Sequence, residues 1–96
     1  MKLVQIIFHF EFADRIERIL DRRGIETFIR IPMVESKDRD GKHYGNKVFP
    51  GHSSLIEAQL EDGEVADLLE ELQSFREERE AHRHLRALVY RVEEYL

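Results

Sequence analysis

The sequence predicts an α+β protein, a two-layer sandwich of four strands and two helices in the order β-α-β-β-α-β. Three observations predict it. Four stretches alternate side chains with a period of two, two stretches repeat apolar residues at helical spacing, and Gly24 and Gly63 punctuate the chain between them. At 96 residues the chain is long enough for one domain and too short for two, so residues 1–96 read as a single unit.

The first strand is Lys2 to Phe10. Val4, Ile6, Phe8 and Phe10 form an apolar face, while Leu3, Gln5, Ile7 and His9 form a mixed one. One dry face and one mixed face suit a sheet covered by helices on one side. Phe12 to Arg23 is helical, with Phe12, Ile16, Ile19 and Leu20 on one stripe. Gly24 then stops it as a left-handed C′ residue. Ile25 to Glu35 is the second strand. Its Pro32 cannot donate to a ladder, which places this strand at an edge or gives it a bulge.

Ser36 to His52 shows no period and is longer than an ordinary connection, so it reads as a long mobile loop. Ser53 to Leu60 is the third strand, with Ser54, Ile56, Ala58 and Leu60 on one face. Glu61-Asp62-Gly63 forms a turn in which Asp62 is the expected N-cap. Glu64 to Arg79 is the second helix, buried along Val65, Leu68, Leu69, Leu72 and Phe75. Leu85 to Val92 is the fourth strand, followed by a short tail. This order is the ferredoxin-like βαββαβ sandwich. Right-handed crossovers then set the antiparallel sheet order as 4-1-3-2, with strand 2 at an edge.

Net charge is −5, which argues against a nucleic-acid partner. The charge is unevenly spread. Residues 37–52 carry four basic and two acidic side chains, whereas residues 53–96 carry five basic and twelve acidic. The central segment is therefore the one basic stretch of an acidic chain, able to steer an anionic ligand or an acidic partner surface. There is no cysteine, so disulfides and thiolate metal sites are excluded. No apolar run approaches a membrane span, and the N-terminus leads straight into a strand without a signal-peptide cleavage region. These features lead to the expectation of a cytoplasmic protein with no direct membrane insertion.

The predicted topology puts the ends of strands 1 and 2 and the starts of strands 3 and 4 on one rim. His9, His43, His52, His82 and His84 all map there. One reading is a divalent-metal site formed by His9, His52, His82 and His84. The other is that histidines are common in polar loops. The spacing matches no His-Glu-x-x-His pattern. In the loop, Gly41, Gly45 and Gly51 give backbone freedom, and Lys37, Arg39, Lys42 and Lys47, with Arg86 on strand 4, supply charge for a phosphate-like ligand. No P-loop motif is present. Tyr44 is an expected exposed anchor for a partner protein, with Gly41, Gly45 and Phe49 beside it. Val48-Phe49-Pro50-Gly51 is apolar enough to pack. Ser53-Ser54 lacks a nucleophile elbow, and the helical carboxylates follow surface spacing, so no enzyme is expected.

The chain resembles the PII (GlnB-like) signalling superfamily and, more loosely, the divalent-cation-tolerance (CutA-like) proteins of the same architecture. The resemblance spans nearly the whole chain. It is carried by the opening strand Lys2-Leu3-Val4-Gln5-Ile6-Ile7-Phe8, by Gly24-Ile25-Glu26-Thr27-Phe28 leading into strand 2, by the long loop at the T-loop position, and by the Pro-Gly return Val48-Phe49-Pro50-Gly51-His52-Ser53-Ser54. It implies a homotrimer with sheets packed around a threefold axis. It also implies a small effector, such as a nucleotide, in the cleft between subunits, and a loop that docks on a target transporter or enzyme. Where nucleotide-binding members carry a Gly-Asp-Gly-Lys-like turn before strand 4, this chain reads Ala81-His82-Arg83-His84-Leu85-Arg86.

Overall fold

The computed structural model describes residues 1–45 and 51–96. Strands β1 (Lys2–His9), β2 (Phe28–Val34), β5 (Ser53–Leu60) and β6 (Arg86–Arg91) form one antiparallel sheet in the order β2-β5-β1-β6. This is the expected 4-1-3-2 order. Helices α1 (Ala13–Arg22) and α2 (Val65–Glu78) cover one face of the sheet. Ile6 lies opposite Ile56 and Ala87 across the ladders. The core between the layers is Val4, Ile6, Phe8, Ile56, Ala58 and Leu60 from the sheet and Ile16, Leu20, Leu68, Leu72 and Phe75 from the helices. Each of these side chains other than Ala58 contributes about 1.5–3 kcal/mol on burial.

α1 ends as a Schellman motif. Gly24 sits at φ 71°, its N–H donates to the Asp21 carbonyl, and the N–H of the buried Ile25 reaches back to Leu20. Pro32 fulfils both of its alternatives. β2 is an edge strand, and its register with β5 shifts between Ile31 and Val34. Ser54 Oγ donates to the Pro32 carbonyl at 2.6 Å, giving the bulge a partner the ladder cannot supply. The helices are joined by ion pairs between Arg15 and Glu78, and between Glu71 and both Arg22 and Arg23. Part of the acidic face of α2 thus meets the basic face of α1 instead of solvent.

Two local expectations are corrected. Asp62 does not cap α2, because the helix is entered through a 3-10 turn and the Asp62 carboxylate instead lies 3.0 Å from the N-terminal ammonium of Met1. The loop after β2 is not aperiodic throughout. Strands β3 (Ser36–Asp38) and β4 (Gly41–His43) form a two-stranded hairpin, and Tyr44 bridges back to His52. Residues 46–50, including Lys47 and Phe49, lie outside the described residues.

The sheet face away from the helices is bare. Leu3, Ile7, Leu55, Ile29, Ile31, Leu88 and Tyr90 share it, with a Gln5–Glu57 hydrogen bond at its centre. Ile29 is 56% exposed and Tyr90 45%. Among the described residues, no helix is long and apolar enough to cross a membrane.

Candidate functional site

The rim at the end of β1 brings three chain segments together: the turn Phe10–Phe12, the β3–β4 hairpin, and the stretch leading into β6. His9 is the last residue of β1. Its ring accepts from the Glu11 N–H and lies against Phe10. Partial burial lowers the His9 pKa. Glu11 opposes that shift, and the neighbouring His84, His43 and His52 add to it. His52 stacks on Phe10 with ring centroids 4.6 Å apart, and its carbonyl accepts the Phe10 N–H. Gly51 is buried against this group. A Cβ there would stand 2.0 Å from His9 Nε2, so a glycine is what lets the chain pass.

The hairpin has two chemically different faces. Lys37 and Lys42 are cross-strand neighbours, and Lys42 lies over the ring of the half-exposed Tyr44. Two like charges directly opposite weaken the pairing. The other face carries Ser36, Asp38 and His43, and this face holds the hairpin to the body. Ser36 Oγ and Ser53 Oγ are 2.6 Å apart. Asp38 Oδ2 accepts from His84 Nδ1–H at 2.8 Å, and His43 Nε2 lies 3.0 Å from Asp38 Oδ1. Asp38 also accepts the Asp40 N–H, an Asx turn that tightens the hairpin, and Gly41 completes it at φ 122°. Asp40 in turn pairs with Arg83 at 3.0 Å.

Partial burial pushes the Asp38 carboxyl up, but hydrogen bonds from His43, the Asp40 amide and His84 outweigh it and hold the group at about 2. The carboxylate is thus charged at any physiological pH, and it joins the hairpin to the segment before β6.

Two clefts open on this rim. One, of about 400 Å³, is lined by His9, Phe10, Phe12, His43, Gly51 and His84 among others. The second, of about 480 Å³, lies between Asp38, Arg39, Asp40, Arg83, His84 and Arg86. Arg39 and Arg86, both expected at a ligand site, meet here. Lys37 and Lys42 sit on the opposite face of the hairpin. Arg83, not singled out from the sequence, lines both clefts.

All five histidines lie on the expected rim, but His9, His52, His82 and His84 do not converge as one metal set. His82 turns inward. It is 1% exposed, stacks parallel to Phe75 at 4.0 Å, meets Phe12 edge-on, and donates Nδ1–H to the Phe75 carbonyl at 2.7 Å. The group that does converge is Asp38, His43 and His84, whose donor atoms all lie within 4.8 Å of one another. Of these only His84 belongs to the expected set. The cross-strand offset that unites Asp38 with His43 becomes visible only once the hairpin is recognised.

No family model matches the chain, and no curated protein matches it. Solved structures do. CPII, a nitrogen regulatory PII-like protein from Thiomonas intermedia K12 bound to ADP, AMP and bicarbonate, matches at TM-score 0.77 and 24% identity over 93% of this chain and 82% of that one. The same protein bound to ADP and bicarbonate matches at TM-score 0.76 and 25% identity, over the same shares of the two chains. A chain from Thermus thermophilus, assigned to the PII-like signalling proteins, matches at TM-score 0.66 and 18% identity over 93% and 82%. The fold is therefore that of the PII-like proteins, α+β and ferredoxin-like, as the resemblance implied.

Proposed function

We propose that this chain is a PII-like regulatory protein of the cytoplasm. It assembles as a homotrimer, senses a small effector between subunits, and acts on a target transporter or enzyme through residues 37–52. The observation that carries the reading is the match over 93% of the chain to a PII-like protein that holds nucleotides and bicarbonate. Two local features support it. The bare apolar sheet face needs a cover, and a second and third copy of the same face supply one. Arg39, Arg83 and Arg86 around the second cleft suit an anionic ligand such as a nucleotide phosphate.

Size-exclusion chromatography with light scattering tests the assembly. The expected mass is about three times the 11.5 kDa chain, and Ile31→Glu, on the bare face, shifts it to monomer. A wild-type chain that runs as a clean monomer overturns the trimer. Calorimetric titration with ADP, AMP and bicarbonate tests the effector, with Arg86→Ala expected to weaken nucleotide binding. Absence of heat with all three ligands removes the nucleotide version.

A further inference from the structure

We propose that Asp38, His43 and His84 form a binding site for a divalent transition-metal ion of the zinc type. The proposal stands on the single chain and does not depend on the trimer. Three separate segments supply the donors: Asp38 on β3, His43 on β4 and His84 just before β6. The site is built, not scattered over the surface. His43 is 5% exposed, and the side chains of Asp38 and His84 are each 18% exposed. The two imidazole rings are 4.6 Å apart at 62°, with the carboxylate reaching both.

The donor chemistry selects the ion. Two imidazoles and one carboxylate match the three-protein-ligand arrangement of open zinc sites, in which water or a substrate takes the fourth position. Imidazole donors favour zinc, nickel, cobalt or copper, while magnesium and calcium prefer all-oxygen shells. A tetrahedral ion at about 2.0–2.2 Å from each donor sets them about 3.4 Å apart. Donors that already lie within 4.8 Å of one another are close to that spacing. His43 and His84 also line the 400 Å³ cleft, which gives the ion a way in.

The consequence is regulatory. The ion would replace a shared-carboxylate hydrogen-bond network with coordinate bonds from both strands of the hairpin and from the segment before β6. Metal occupancy would then set the position of the hairpin whose outer face carries Lys42 and Tyr44.

The test uses the tag-free chain of residues 1–96, stripped with chelator and titrated with Zn²⁺ by calorimetry and with Co²⁺ by visible absorption. The expected result is one ion per chain, with the strong d–d bands of a four-coordinate nitrogen–oxygen site. Asp38→Asn and His84→Ala should each weaken binding at least about tenfold, with far-ultraviolet dichroism confirming that they fold. His52→Ala, on the same rim but outside the group, should bind like wild type. Two results overturn the proposal. One is a wild-type chain that binds neither ion more tightly than ~100 µM. The other is wild-type affinity retained in both folded variants, which would make the cluster a hydrogen-bonded staple only. Neither result bears on the trimer or on nucleotide binding.

Discussion

The two rims of the sheet are built from different materials. At the rim where β1 ends, polar side chains do the joining: Asp38 to His43 and His84, Asp40 to Arg83, Ser36 to Ser53. At the opposite rim the backbone does most of it, through the Schellman turn at Gly24 and the 3-10 turn at 62–64, beside the pairs of Glu71 with Arg22 and Arg23 and the exposed pair of Asp62 with the N-terminus. The first rim therefore holds charged and titratable groups partly out of water, where geometry matters to their energy. At the second, the Asp62 pair lies in solvent, where pairing counts for little, and the partly buried Glu71 meets only arginines, with no histidine among them. Specific chemistry is concentrated at the first.

That contrast can be broken at several points. The largest effect is expected at His82, which underpins the first rim from inside. His82→Ala removes a fully buried ring and its bond to the Phe75 carbonyl, and should cost about 2–4 kcal/mol, measured by urea denaturation. His82→Phe should recover part of that loss, because the stack on Phe75 survives. A wild-type midpoint in His82→Ala would show that the ring is not a core element. Next comes Gly24→Ala at the second rim, expected to cost about 1 kcal/mol because φ 71° strains any side chain.

The two rims also differ in their response to pH. The folded state lowers the Asp38 carboxyl from 3.8 to about 2. Its stabilising contribution is therefore complete above about pH 4 and disappears as pH falls toward 2. Asp38→Asn should flatten thermal stability in that window, and an unchanged pH profile would count against the network. His9, also lowered, prefers its neutral form in the folded state. Its contribution is present above its ordinary value of 6.5 and declines as pH drops below that, an effect His9→Gln should remove. The smallest effect is expected from Asp62→Ala, which should leave the melting temperature where it was, since the pair it breaks is open to solvent.

Much of this molecule was legible without coordinates. Alternation along β1 and β5 and the apolar stripes of α1 and α2 are long enough to show their periods, and crossover handedness then allowed one strand order. Pro32 announced an edge and a bulge through its missing N–H, and Gly24 announced a left-handed turn. Three-residue strands such as β3 and β4 are too short to show a period, so the hairpin stayed hidden inside an expected loop. His82 and His84, two apart, would share a face only in a strand. In the 3-10 turn and the turn after it that carry them they diverge, one into the core and one toward Asp38.

Local period and chain handedness are enough to set the layers, their order and the rim on which the histidines fall, and both are written in the order of the residues. Which polar groups meet there is set by the folded chain as a whole. Asp38, His43 and His84 come from segments up to 46 residues apart, and their convergence depends on a hairpin docking against the start of β6. No local pattern encodes such a contact, since it is selected by the summed packing of distant parts of the chain.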